Sequence, residues 1–553
     1  MKRITLISIV CLILSLGLSS LMFAQDTLDV EQGFETLNLA VEGDTLADGS
    51  PANVNRVYRL ERGGYYLTNG TIVGNGAPLR IVAAEGPGPK PVLISTADET
   101  GESSRFFRPK VDAEWRGLYL SGIDNLGNQA GKNTFRIGKE GGRYIIDDCV
   151  VDGDFQSMIR IDADNQSVFV TNCVFSNAFL LSDPANGRFM DTRGNLTDTL
   201  FVQNCTFFNA THDLVRNGGG IVKYFVWDHI TFDLAGGIGS TVETDRNVYS
   251  QLTNNVIMNY AFEGRELFSV DSTGACLAPV DTLEADEIAV EEDRLYITAN
   301  NVRGYSDDIK AWIESKDSLQ ISPWMDYEGQ IFYDNMDNFI FAKNIEEEVV
   351  FTDPPTNELV IAFAEHRFND DYANNGNPDI RADRNGVGTL TDAPETFGPA
   401  EDEFDFSYDT NHAAYTHAAG GFPAGDLNWF PDKKAEWIAA GKPMIDPDVT
   451  HVNDRVEMAP RQFELNQNYP NPFNPSTTIE YKLSERGQVN LAIYNAIGQQ
   501  VRALLQNENQ MQGTHTVSWD GRNDAGSPMS SGIYYYRLQV GDQVQSHKMV
   551  LMK

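Results

Sequence analysis

The sequence predicts an all-β chain: a right-handed parallel β-helix over most of its length, then a small antiparallel β-sandwich of immunoglobulin-like type. Three observations carry this expectation. One block of alternating apolar residues recurs with a spacing near 25 residues, a second block recurs in register with it, and the residues from 463 onward differ from the rest in charge and turn spacing.

The first block reads Ile145-Ile-Asp-Asp-Cys-Val-Val151 and returns at Val168–Phe175, Phe201–Phe207, Phe225–Phe232, Ser250–Ile257 and Leu295–Val302. Its marker positions Cys149, Cys173, Cys205, His229, Asn255 and Asn301 are separated by 24, 32, 24, 26 and 46 residues, the last gap holding an acidic insertion around Cys276–Arg294. The second block reads Phe135-Arg-Ile137, Ile159-Arg-Ile-Asp162, Met190-Asp-Thr-Arg193, Val215-Arg-Asn217, Val242-Glu-Thr-Asp245 and Phe268-Ser-Val-Asp271, and its second residues are separated by 24, 31, 25, 27 and 26. Two markers sharing one period indicate coils of two or three short strands that bury their apolar faces by stacking. Earlier coils are expected at Leu79–Ser95 and Trp115–Ile123. A leucine-rich repeat has a similar period, but its leucine pattern is absent. The Asn/Asp positions Asp148, Asn172, Asn204, Asp228, Asn254 and Asn300 are expected to form a turn ladder of stacked amides. Beside it Cys149, Cys173 and Cys205 are expected to pack as small core residues rather than disulfides, with His229 as a structural member of the same column.

Composition narrows the function classes. With 42 Lys+Arg against 79 Asp+Glu the formal net charge is −37, which argues against nucleic acid or an anionic membrane as bulk partner. Lys2 and Arg3 precede an apolar run from Ile4 to Phe23, followed by Ala24 and Gln25, the pattern of a signal peptide over 1–24. Its removal takes two bases and Cys11, leaving a charge of −39 and four cysteines, too few for a disulfide scaffold. The β-helix body is placed at 25–352, and acidic closing coils, a cap and a linker at 353–460, with a short helix at Asp432–Ala440. No loop of EF-hand spacing occurs there. The domain at 461–553 is neutral: seven acids and seven bases lie between Phe463 and Lys553. Its strand-like runs are Thr478–Leu483, Gln488–Tyr494, Gln499–Leu505, Gly513–Trp519, Gly532–Val540 and Val544–Met552.

The motifs in this tail are specific. Asn468-Tyr-Pro-Asn-Pro-Phe-Asn-Pro-Ser-Thr-Thr-Ile479, Ile493-Tyr-Asn-Ala-Ile-Gly-Gln499, Trp519-Asp-Gly-Arg-Asn-Asp-Ala-Gly526, Ser531-Gly-Ile-Tyr-Tyr-Tyr-Arg-Leu538 and Lys548-Met-Val-Leu-Met-Lys553 together resemble the type A C-terminal sorting domain of type IX secretion cargo. The resemblance implies an address read by the outer-membrane translocon, and a protein secreted or held on the outer cell surface. Over roughly Val57–Val302 the repeat style resembles the pectate-lyase-like β-helix superfamily. The segment Gly420-Gly-Phe-Pro-Ala-Gly-Asp-Leu-Asn-Trp-Phe-Pro431 resembles the closing segment of glycan-locus β-helix proteins of Bacteroidetes-type bacteria.

Strand alternation in the second block points one set of residues outward, giving the column Arg136, Arg160, Asp191, Arg216, Glu243, Ser269 and beside it Asp162, Arg193, Asp245, Asp271. Resemblance to lyases on this fold implies an Arg or Lys base and a cation, often Ca²⁺, that neutralises a uronate carboxylate. On that reading Arg160, Arg193 and Arg216 are the catalytic candidates, Arg136, Lys223 and Trp227 contact substrate, and Asp162, Asp191, Glu243 and Asp245 hold calcium. Hydrolases on the fold use clustered Asp instead, and His212-Asp213 lies on a nearby turn. The competing reading is a face stabilised by cross-strand ion pairs. A Lys-containing catalytic strand like that of the chondroitinase B/alginate lyase group is missing. Trp312, Trp324 and Trp429 are either sugar-stacking or core. The expectation is an exported protein that engages extracellular polysaccharide, as a lyase or a binder; the alternative is a non-catalytic structural surface protein or adhesin.

Overall fold

The apolar residues of the first block pair in parallel with their counterparts one coil away. Trp115 lies opposite Ile146, Ile146 opposite Val170, Val170 opposite Val202, Val202 opposite Trp227 and Trp227 opposite Leu252. The computed structural model describes residues 26–552 apart from 102, 127–132, 155, 181–182, 236–241, 264, 267–276, 278–293, 326–329, 331, 335, 337, 370–377, 379–403, 447–448, 450–462, 466–467, 484–486, 496–499, 512 and 541–542. The expected signal peptide, Ser269, Asp271, Cys276, most of the acidic insertion and the linker lie outside the described residues.

The chain divides into two units, 1–450 and 451–553. The first contains a 20-stranded parallel sheet made of two ladders. One ladder runs from Asp26–Val30 to Phe339–Ala342, and the other from Gly33–Phe34 to Ile345–Glu346. The long strands Thr197–Ala210 and Val222–Ala235 take part in both. A third, 4-stranded parallel ladder is formed by Phe135–Ile137, Ser157–Ile161, Arg188–Asp191 and Val215–Arg216. It is extended by single bridges from Ile72 to Phe107, Phe107 to Phe135, and Val215 to Val242. The inward side chains of the three ladders form one core with Leu37 and Val41 of the helix Thr36–Glu42 at its start.

The corner between the first two ladders is made by a column of left-handed residues: Asp148, Asn172, Asn204, His229, Asn254, Asn300 and Lys343, with φ of 53, 56, 50, 52, 61, 58 and 53°. Asn and Asp tolerate this region best, which explains the recurring letter. Each bend is tied to the next coil by the main chain, as in Asp148 N–H to Thr171 O (3.0 Å), Asn172 to Gln203 (3.1 Å) and Asn254 to Ala299 (3.1 Å). Two expectations need correction. The column holds His229, not Asp228: Asp228 lies opposite Gln203 on the strand, and Ile230, not His229, lies opposite Cys205. The corner amides do not stack on one another; Asn172 and Asn254 donate to Asp147 (2.7 Å) and Asp228 (2.6 Å) one coil earlier. The inward-facing neighbours do form a ladder. Cys149 and Cys173 N–H point at the sulfurs of Cys173 and Cys205, and the column ends in the amides of Asn255, Asn301 and Asn344. All three cysteines are free and buried, as their packing role requires.

The described residues of 353–460 add no strand to the parallel ladders, contrary to the expectation of closing coils. Phe351–Asp353 pairs antiparallel with Asp405–Tyr408, and Glu358–Asn369 is a helix whose Val360 and Phe363 join the main core. Residues 404–446 then form a strap along the corner column. Lys434 Nζ donates to Asn172 Oδ1 (2.7 Å), Asn428 Nδ2 to Asn204 O (2.9 Å), Trp437 packs on His229, Gly425 N–H donates to Asn254 O (2.7 Å), and Asp446 accepts from Asn300 (3.1 Å) and Lys343 (3.0 Å). Its helix, expected at Asp432–Ala440, is Pro431–Ala439.

The second unit has a 3-stranded antiparallel sheet (Phe463–Leu465, Thr477–Leu483, Gly513–Trp519) and a 4-stranded one (Gly487–Asn495, Gln500–Gln510, Gly532–Val540, Gln543–Leu551). Thr477–Leu483 alternates strictly between buried and exposed, so its odd-numbered residues Ile479, Tyr481 and Leu483 meet Val489, Leu491 and Ile493 of the other sheet in a single core.

Candidate functional site

Parallel pairing in the third ladder puts the expected charged column in register. Arg136 lies opposite Arg160, Arg160 opposite Asp191 and Asp191 opposite Arg216, each one strand spacing apart. The single bridge from Val215 to Val242 brings Glu243 above Arg216. The inward partners Phe135, Ile137, Ile159, Ile161, Met190 and Val215 are buried, which forces the residues between them outward.

The upper part of the column is internally neutralised. Asp191 is buried, accepts the Arg193 N–H at 2.9 Å, and faces the guanidinium groups of Arg193 (3.7 Å) and Arg216 (3.6 Å). Glu243 accepts the backbone N–H groups of Asn217 (2.6 Å) and Gly218 (2.9 Å); burial, then the nearby Asp213, holds its carboxyl above the usual range. Asp245 adds to that effect. His212 Nδ1 lies 2.7 Å from Asp213, which also faces the buried Arg188 at 3.8 Å.

The lower part carries surplus positive charge. Arg136 and Arg160 share one carboxylate, Asp162; the Arg160 contact is 2.7 Å and Arg136 is in direct contact. Burial would raise the Asp162 carboxyl, but hydrogen bonds from Arg160 and Arg136 outweigh it and hold it below the ordinary value. The Phe107–Phe135 bridge adds Arg108 below Arg136. Arg108, Pro109, Lys110, Arg136, Gly138 and Asp162 line an open cleft of about 400 Å³. Arg105 is half-buried beside it. Its guanidinium is held below the usual arginine range, first by burial and then by Arg136, Arg108 and Arg160.

Sequence reasoning missed Arg105, Arg108 and Lys110. The signal was present: Phe107-Arg108-Pro109 repeats the apolar–Arg–apolar pattern of Phe135-Arg136-Ile137 with a spacing of 28. Two residues expected at the site lie elsewhere. Trp227 is in the core, 2% exposed and stacked on Phe207 and Phe225, so it cannot meet a sugar. Lys223 is on the first ladder, where it reaches Asn165 (3.3 Å) and Asp198 (3.5 Å). Trp312, Trp324 and Trp429 donate to Glu365, Glu346 and Thr206.

The carboxylates expected to hold calcium do not converge. Asp162 and Asp191 serve arginines on successive coils, while Glu243 serves backbone N–H groups above them. Among the described residues no three His, Cys, Asp or Glu side chains form a metal-binding group. Calcium takes six to eight oxygens, and this donor set does not supply them.

Residues 474–543 match the family model of the FlgD Ig-like domain. The second unit thus carries an immunoglobulin-like domain. No curated protein matches the chain. A crystal structure of dimeric latent PorU from Porphyromonas gingivalis is similar at 22% identity over 16% of this chain and 9% of that chain, with a TM-score of 0.15. A structure of PorZ, described as an essential bacterial surface component of the type-IX secretion system of P. gingivalis, is similar at 17% identity over 16% of this chain and 11% of that one, with a TM-score of 0.12. Both likenesses span only a small part of each chain. Among the described residues no helix is long and apolar enough to cross a membrane.

Proposed function

We propose that this chain is an exported protein whose right-handed parallel β-helix engages extracellular polysaccharide on its third ladder, and whose immunoglobulin-like tail is a type IX sorting domain that delivers it to the outer cell surface or the medium. The in-register outward column Arg136, Arg160, Asp191, Arg216 is the observation that supports the polysaccharide reading. A stacked coil face repeats its donors at the spacing between strands, and a linear glycan can follow such a row along the coil axis. The tail motifs from Asn468 to Lys553 support the delivery reading.

Binding is favoured over elimination. A lyase base must reach the proton it removes, and Arg160, Arg193 and Arg216 are each turned toward a carboxylate of the chain itself, at 2.7, 3.7 and 3.6 Å. The test is affinity electrophoresis of the mature chain through gels containing a panel of polysaccharides, with ultraviolet absorbance followed in parallel. The expected result is retardation by an anionic polysaccharide with no new absorbance. A rise from a conjugated double bond would establish a lyase. Retardation by none would leave the adhesin or structural reading.

A further inference from the structure

The lower cleft departs from the chain's overall charge. In a protein of net charge −37, Arg108, Lys110 and Arg136 line one opening together with a single acid, Asp162; Arg160 binds that same carboxylate, and Arg105 lies near enough to Arg136, Arg108 and Arg160 to feel their charge, with the buried Asp154 opposing it. Asp162 already accepts the Nε–H of both Arg136 and Arg160. Arg108 and Lys110 are exposed, and among the described residues neither they nor Arg105 have an ion-pair partner. Arg108 and Arg136 are on successive coils, so these donors reach the opening from different levels. The cleft is also sterically open: a Cβ built on Gly138 meets nothing within 4 Å.

We infer that this cleft binds a tetrahedral oxyanion, a sulfate or phosphate ester, carried on the polysaccharide engaged by the third ladder. The inference rests on the polysaccharide reading for its carrier and on the cleft alone for its chemistry. A planar carboxylate is best met edge-on by one guanidinium fork. A tetrahedral group offers three oxygens in three directions, which suits donors arriving from separate coils. The surplus charge favours a polyanion over a single uronate, and an arriving anion offsets both the loss of hydration that burial imposes on Arg105 and the repulsion from Arg136, Arg108 and Arg160.

The test uses the full chain, its Arg108→Ala/Lys110→Ala variant and a Gly138→Glu variant, which places a carboxylate in the open space. Inorganic sulfate and inorganic phosphate, each against chloride at matched ionic strength, are the first probes, read as a shift in Tm. Sulfated, phosphorylated, carboxylated and neutral polysaccharides are the second, read by gel retardation. The expected result is that sulfate or phosphate raises the Tm of the parent chain more than chloride does, and that the ester-bearing polymer binds about tenfold or more tightly than its neutral backbone. Both variants lose that preference while keeping the parent Tm in chloride. The ion that gives the larger shift decides between the two esters. Equal shifts in all salts, or equal retardation of parent and variants by the ester-bearing polymer, would overturn the inference. If the ester-bearing polymer binds the parent no more tightly than its neutral backbone and both are retarded, the oxyanion site falls and the polysaccharide reading stands. If the ions bind and no polymer does, the reverse holds.

Discussion

Arg160 Nε donates to Asp162 Oδ1 at 2.7 Å, two residues along the same strand end, while Arg136 from the coil below takes the other oxygen. One carboxylate therefore holds two guanidinium groups at the edge of the cleft. Asp162→Asn is expected to lower stability at neutral pH by about 1–3 kcal/mol, the usual cost of removing one partner of charged hydrogen bonds. The folded carboxyl is held below its ordinary value of 3.8, so its contribution is present above that value and is lost as pH falls through the lower folded value. Denaturant midpoints of parent and variant should differ at neutral pH and converge below about pH 4. A gap that stays constant down to about pH 3 would show that the pair adds nothing. The same variant should bind a polyanion more tightly, since it frees both arginines.

The amide column makes a second prediction. Asn255 Nδ2 donates to Asn301 Oδ1 at 2.9 Å, and Asn301 Nδ2 to Asn344 Oδ1 at 2.8 Å; the Asn255 N–H also points at Asn301 Oδ1. Asn301 is fully buried. Asn301→Ala leaves the Asn255 N–H without a partner, at about 1–3 kcal/mol, and removes three further side-chain hydrogen bonds, from Asn255 Nδ2, to Asn344 Oδ1 and to Leu252 O, at about 1 kcal/mol each. Equilibrium denaturation should show a loss of about 3 kcal/mol or more; a loss below about 1 would mean that water replaces the amide.

Much of the third ladder was legible because the apolar–charged–apolar triplets repeat with a period that the chain keeps. The register Arg136–Arg160–Asp191–Arg216 needed only that period and strand alternation. Arg108 was missed because its coil shows the triplet once, ends in Pro109 and lacks a first-block partner of recognisable spelling. His229 was misplaced by one residue because Asp228 looks like the Asn of other coils, whereas the left-handed bend selects the position before the inward residue. Trp227 was misread because composition cannot tell an inward from an outward aromatic. Apart from its helix, the strap could not be read: its contacts with the corner column join residues far apart in sequence, such as Ala419 and Asn254, 165 apart, and no period links them.

The thiols give a third test. Burial raises the Cys149 and Cys173 thiols well above their ordinary value. A thiolate is the reactive form, so both should resist alkylation in the folded protein. Peptide mapping after brief alkylation should find Cys149, Cys173 and Cys205 unmodified without denaturant and fully modified with it. Modification of any of them in the folded state would contradict the stacked core.

The strap depends on one backbone position. Gly425 has φ of 82°, and a Cβ there would lie 2.5 Å from Thr231 Oγ1, the atom that accepts the Asp426 N–H at 2.8 Å. Gly425→Ala is strained by conformation and by contact, so it should lift this stretch off the corner column. Limited proteolysis should then cut within 404–446 much faster than in the parent, at a cost of about 1–3 kcal/mol. Unchanged cleavage would mean that the strap is held by its ends alone.

Next to it, Asp426 is fully buried against the ladder. It accepts Thr206 Oγ1–H at 2.8 Å and the Asn428 N–H at 2.9 Å, yet burial dominates and pushes its carboxyl up to about 6. With the folded value above the unfolded 3.8, the stability it contributes is full below that value and is lost as pH rises through about 6. A separation of roughly two units corresponds to an order of 2–3 kcal/mol. Asp233, raised to about 7 by burial, adds a slope of the same sign, so the parent's decline has more than one source. The informative quantity is therefore the difference between parent and Asp426→Asn. The variant keeps an acceptor for Thr206 and does not titrate, so its stability relative to the parent should rise by about 2–3 kcal/mol between pH 4 and 7. A difference that is flat across that window would mean that Lys434, which lowers the Asp426 carboxyl, keeps it ionised throughout.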